Sequence, residues 1–284
     1  MTLLYDRRCS VLIGPAPADN YVMQIPNVLK VEGLRITFKI ERDDKPQPNT
    51  LELTITNLSE ASRNRIEGKG NRVVVNAGYA DQVAQIFSGD MRTCVSRKVG
   101  TDWITRILAG DAERAFKHAR VNNTFNVNAR VADVVKGTIQ ALQSDPGNAL
   151  QKAEQLAGEF SSGYVQASRA STELTTLLEP YGWGWSIQDG RIELLAPGEV
   201  LPGDGPLLSP DTGLIGVPEL TDPDKKGGPR TLKARSLLQP TLRPGQRFQI
   251  TSRSKSGTYK AIKVTHLGDT ASGDWYSDVE AHTA

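Results

Sequence analysis

The sequence predicts a mainly β protein in which two tube-like antiparallel β-barrel domains bracket an α+β unit of helices and a hairpin. Three observations predict it. Apolar and polar residues alternate through the first hundred positions and again near the end of the chain. Between Val131 and Leu178 the apolar spacing turns helical. Asp189-Gly190 then separates two short apolar runs, a hairpin signature, because both turn positions want positive φ.

The first unit, residues 1–115, opens its clear β pattern at Leu34, Ile36, Phe38 and Ile40, which alternate with Arg35, Thr37, Lys39 and Glu41. The rhythm returns at Leu51, Leu53 and Ile55, and at Val73, Val75 and Ala77, with a polar, proline-bearing turn over Asp43–Asn49. Ser59–Glu67 reads as a short helix: Ser59 caps it, Glu60 suits the positive end, Arg63 and Arg65 suit the negative end, and Gly68 stops it. Strands resume over Ala84–Gly89 and Trp103–Ala109.

Residues 116–200 form the middle unit. Val131, Val134, Val135, Ile139 and Leu142 share one helical face, with Asn128 as the cap and Asp145-Pro146-Gly147 as the stop. A weaker helix follows over Ala149–Ala157. A third buries Leu174, Leu177 and Leu178 and breaks at Pro180. The hairpin then pairs Trp183–Ile187 with Arg191–Leu194.

Residues 201–230 read as a connection, since Pro197–Pro229 holds seven glycines and seven prolines, with a mobile tip at Asp222–Gly228. The last unit, residues 231–284, is β again: Leu232–Leu238, Arg247–Ser252, Tyr259–Thr265 and Trp275–Ala281, turning at Arg243-Pro244-Gly245 and Ser254–Gly257.

Composition excludes several classes. The 284 residues are 38% hydrophobic and 23% charged, a globular balance. Thirty-four basic against thirty-two acidic residues leave +2, without the basic excess of a dedicated nucleic-acid binder. No apolar run is long enough for a membrane span, and Leu3-Leu4-Tyr5 followed by charges is no export signal. Cys9 and Cys94 are then expected as buried or free thiols of a protein made in cytosol.

Chemistry is sparse. His118, His266 and His282 have no partner at metal-ligand spacing, and no G-x-S-x-G elbow is present. Gly68-Lys69-Gly70 lacks the glycine a phosphate loop needs and reads as a helix end and turn. No catalytic, cofactor or metal site is assigned. Trp183 and Trp185, two apart on a strand, would share a face and could stack on a sugar or base. Packing over the helix Thr172–Glu179 is the preferred role, since indoles commonly anchor small cores.

Two stretches carry a resemblance. The first is Asn57-Leu58-Ser59 ending a strand, then Gly78-Tyr79, then Ile86-Phe87-Ser88-Gly89-Asp90. The second runs through Leu237-Leu238, Pro240 and Gly245, then Tyr259, His266, Gly268-Asp269, and Trp275. Taken in order, they resemble the baseplate hub proteins of phage tails and related contractile injection machines. The resemblance implies turn and core markers rather than a catalytic site, and a virion tail protein assembled in the host cytoplasm without a membrane anchor. It further implies a homotrimer forming a pseudo-sixfold ring between tail tube and central spike. The partners would be a tail tube or distal tube ring protein, the spike, tape-measure protein and baseplate wedge proteins, with DNA passing through the lumen. No stretch is left over for a fused lytic or spike domain. The competing expectations are a tube-terminating or distal-tail ring, a glycan- or peptidoglycan-binding tail module built on the two indoles, and a small hydrolase.

Overall fold

A computed structural model describes residues 6–15, 28–67, 70–80, 82–222 and 229–283. Leu3-Leu4-Tyr5, the stop at Gly68 with Lys69, and all of the expected mobile tip except Asp222 lie outside them.

The first stretch of chain gives β1 (Arg7–Pro15), β2 (Leu29–Val31), β3 (Ile36–Asp43), β4 (Thr50–Thr56), α1 (Glu60–Ile66), β5 (Asn71–Tyr79), β6 (Gln82–Val99) and β7 (Asp102–Gly110). The middle gives α2 (Glu113–His118), β8 (Arg120–Phe125), α3 (Val131–Ala141), α4 (Ala149–Ala153), β9 (Tyr164–Arg169), α5 (Ala170–Leu178), β10 (Gly184–Gln188) and β11 (Arg191–Leu195). The end gives β12 (Leu201–Leu208), β13 (Leu214–Thr221), β14 (Thr231–Leu237), β15 (Gln246–Thr251), β16 (Ser256–Asp269) and β17 (Trp275–Thr283). The protein is mainly β.

Contacts divide the chain into two compact units. One comprises Met1–Asp43, Asn49–Gly110 and Val200–Ala284; the other comprises Asp44–Pro48 and Asp111–Glu199.

In the first unit, one sheet runs β13-β14-β17-β16-β3-β4-β7-β6-β5-β1-β2, with β15 on β16 and β12 on β15. Every rung along that path is antiparallel; only β12 and β15 are parallel. The sheet encloses two apolar cores. Ile36, Phe38 and Ile40 with Leu51, Leu53 and Ile55 fill the first, while Phe248, Ile250, Val264 and Val279 fill the second. The period of two on β3 and β4 is what points these residues inward. β3 and β16 join the halves, from Asp43 opposite Lys263 to Thr37 opposite Asp269.

The segment read as a connection holds two strands. Proline and glycine exclude a central strand but not an edge, and β13 ends the sheet while β12 pairs only with β15. A register shift between Ile215 and Glu219 pushes out a bulge, with Gly216 at φ +70 supplying the left-handed backbone.

The second unit packs α3, α4, α5 and the β10–β11 hairpin around Val134, Val135, Ile139, Leu174, Leu178, Ile187 and Ile192. The hairpin forms as its turn demands, Asp189 at φ 55 and Gly190 at φ 84. Asn148 extends β11 as a strand partner would, accepting from Leu194 N at 2.8 Å and donating to Leu194 O at 3.0 Å. The expected cap at Asn128 is corrected: α3 starts after Arg130, and Asn128 sits in the preceding turn at φ 66. The helix's Val131 N–H is satisfied by the Gly158 carbonyl at 3.1 Å.

Candidate functional site

The expected motif residues occupy close backbone crossings and core positions. Asn57 takes a left-handed turn at φ 61, donates to Asp102 Oδ1 at 3.0 Å and accepts from Trp103 N at 2.9 Å. Leu58 is buried, and Ser59 caps α1 by accepting from Ser62 N at 3.2 Å. A Cβ on Gly78 would fall 1.9 Å from the Gln82 carbonyl oxygen, so the β5–β6 turn needs glycine there. Tyr79 beside it is buried, which pushes its phenol up to about 12. Gly89 lies against the Gly110 backbone, where a Cβ would meet the carbonyl oxygen at 2.6 Å. The next residue, Asp90, pairs with both Arg72 and Gly110, so β6 changes partners there.

The second set surrounds Trp275. Its buried indole meets Phe38 edge-on at 5.5 Å and 65°, with the Arg7 guanidinium 5.6 Å from the ring. Gly268, opposite Trp275 on β16, leaves the space that the Phe38 ring fills; a Cβ there would lie 2.2 Å from Phe38 Cζ. Leu238 N–H donates to the Trp275 carbonyl at 3.0 Å, with buried Pro240 just beyond and Leu237 packed against the same core. Buried His266 places Nδ1 2.8 Å from Ser277 Oγ, which also accepts from Gln239 N at 2.8 Å. Gly245, at φ 80, donates to the Ala261 carbonyl at 2.7 Å, and Tyr259 packs on Phe248 with centroids 6.2 Å apart.

Asp269 has its carboxyl pKa held below the usual value. Burial works to raise its carboxyl, but the Arg35 guanidinium and the backbone N–H groups of Ala271 and Ser272 outweigh that and lower it. A lowered folded pKa stabilises the fold above the unfolded value of about 3.9 and is lost as pH falls through the folded one. Asp269→Asn should therefore lower stability at pH 7, with the difference from wild type closing in acid. Urea unfolding at neutral and acidic pH measures this, and a gap that persists in acid would refute the ion-pair origin.

The two indoles pack inward, over α5, and form no open platform; β10 starts at Gly184, so Trp183 lies just before the strand and Trp185 on it. Trp185 is 3% exposed, donates to Thr175 Oγ1 at 3.0 Å and packs near Phe116, while Trp183 packs against the same core.

Among the described residues, no group of three or more His, Cys, Asp or Glu is placed to hold a metal ion. No described helix is long and apolar enough to cross a membrane. Burial pushes the free thiol of Cys9 up to about 12 and that of Cys94 up to about 11. Neither is an activated nucleophile at neutral pH.

What the sequence reading missed is the surface. Val95 and Val99 stand out on β6, and Leu207, Ile215, Val217 and Leu220 on β12 and β13; Val217 is 67% exposed. Pro218 and the bulge interrupt the β13 edge for strand pairing.

No protein-family model matches the sequence, and no curated protein matches it. Solved structures do. A 43 kDa tail protein of prophage MuSo2 from Shewanella oneidensis superposes with a TM-score of 0.65 at 8% identity, covering 96% of each chain. A tail protein from Neisseria meningitidis gives 0.62 at 10% identity, covering 98% of this chain and 97% of that one. A type VI secretion component of E. coli, described as similar to the T4 tail proteins gp27 and gp5, gives 0.58 at 12%, covering 88% and 73%. Over nearly its whole length, the chain has the fold of phage tail proteins.

Proposed function

We propose that the chain is a structural baseplate hub subunit of a phage tail and not an enzyme. Three copies would form a ring, each contributing the two β regions of its first unit as neighbouring sixths. The ring joins a sixfold tube or distal tube ring to a threefold spike. Its lumen passes tape measure and DNA, and wedge proteins attach outside. The observation that carries this reading is the β3–β16 rung: two β regions with separate cores share one continuous wall. The full-length likeness to tail proteins supports the same reading. The exposed apolar residues of β6, of β12 and of β13 would then lie on the surfaces that copies present to one another.

Light scattering on the purified chain, alone and with its co-encoded tail proteins, tests it. The expected mass is a trimer, or a monomer driven to a trimer by the spike protein. A stable hexamer would assign a tube-terminating or distal-tail ring instead. A monomer indifferent to every tail partner would overturn the assembly role.

A further inference from the structure

We infer that a cleft beside β1 receives an extended, acidic peptide segment of another protein, added as a strand to the open edge of Arg7–Ser10. β1 pairs with β5 along its whole length, from Arg7 opposite Tyr79 to Pro15 opposite Asn71. β2 covers the other edge only from Val11 to Ile13. Among the described residues, Arg7–Ser10 therefore has no strand on that side. A cleft of about 650 Å³ is lined by Arg7–Ser10 and by Glu32–Arg35, the stretch that follows β2 on that side, with Ala80 and Val83 at its β5–β6 end and Thr270 and Ala271 also at its wall. That volume falls within the ~300–1,000 Å³ of ligand clefts. Four strand residues extend about 13 Å, enough to seat a short peptide by main-chain hydrogen bonds.

Charge selects the occupant. Arg7, Arg8 and Arg35 line the cleft against one carboxylate, Glu32, which pairs with Lys30 at 2.7 Å. Arg8 meets Asp6 with both side chains exposed, so that pair exchanges readily, whereas Arg35 is held through both oxygens of Asp269 and lends the cleft less charge. Arg7 donates to the Asp269 backbone carbonyl at 3.2 Å and lies over the Trp275 ring, and neither group neutralises its charge. A bare edge risks indiscriminate pairing. Arginines along it repel basic strands and admit acidic ones. This inference does not depend on ring assembly.

The probe is a fluorescein-labelled decapeptide alternating Glu with Val and Thr, carrying a central photo-crosslinker. Fluorescence anisotropy should show binding that weakens with salt. The same peptide with Lys for Glu should not bind. N-methylation at alternate residues should abolish binding, because it removes the donors that a strand needs. Val83→Glu, at an exposed position, and Arg8→Glu should each weaken binding about tenfold, a loss of ~1.4 kcal/mol, with unchanged melting. Crosslinks should map to residues 7–10. Undiminished binding of the N-methylated peptide would reduce the cleft to a cationic patch and overturn strand addition. Crosslinks mapping elsewhere, or joining two copies of the chain, would also overturn it.

Discussion

Trp275→Ala should destabilise the protein by about 3–5 kcal/mol, the range for removing a large buried aromatic. The ring is fully buried where β3, β16 and β17 meet, its edge contact with Phe38 made possible by Gly268 opposite. Truncation opens a cavity that its neighbours cannot fill, because Phe38 already occupies the space over Gly268. Trp275→Phe should cost far less, about 1 kcal/mol. It keeps an aromatic ring on Phe38 and removes an indole N–H that has no acceptor among the described residues. Urea unfolding of both variants measures the difference. Equal losses would show that the site answers to the indole itself rather than to buried volume.

The second large effect is on assembly. Val217→Glu should prevent the proposed trimer, formed alone or with the spike protein, by light scattering while leaving melting unchanged. Val217 is 67% exposed on the β13 bulge, so the isolated fold hardly depends on it. A valine buried between copies contributes about 1.5–3 kcal/mol, and an unpaired desolvated carboxylate costs several more. Together they weaken association by more than about a hundredfold. Val165→Glu is the control: equally exposed at 65%, but on β9 of the other unit, it should leave the mass alone. A trimer that survives Val217→Glu would move the proposed copy-to-copy contact off β13.

Much of this fold is legible in the residues because its signals are local. β3 shows inward and outward positions at a period of two, and Asp189-Gly190 specifies a turn by the φ values it permits. Other elements depend on their neighbours. β12 and β13 carry residues that argue against strands, and form because they lie at edges. β8 and β9 pair as Arg120–Phe125 against Tyr164–Arg169 without an apolar period. Inside, buried Gln166 instead donates to Thr138 Oγ1 at 2.8 Å, a partner set by the tertiary fold. For Trp183 and Trp185 the spacing gave two roles, and only the packing around α5 decides between them, because burial is not local. The motif glycines were identifiable as markers, but what they make room for was not: Phe38 over Gly268, and the Gly110 backbone over Gly89, come from distant strands. The surface strips and the open edge of β1 were invisible for the same reason, since exposure is a property of the finished sheet.

The β3–β16 rung also bears on synthesis. Asp43 pairs with Lys263, and the ladder needs the whole second unit to be made before its other half exists. On the ribosome, the second unit, whose partners lie close in sequence, can close early, while the first waits with an unpaired β3. Closure over so long a loop is slow, and the waiting edge invites aggregation. Translation cut short before β16 would leave a product with an unfinished wall, open to proteases. A chain whose first and last stretches complete one sheet is thus finished only when its last strands are made.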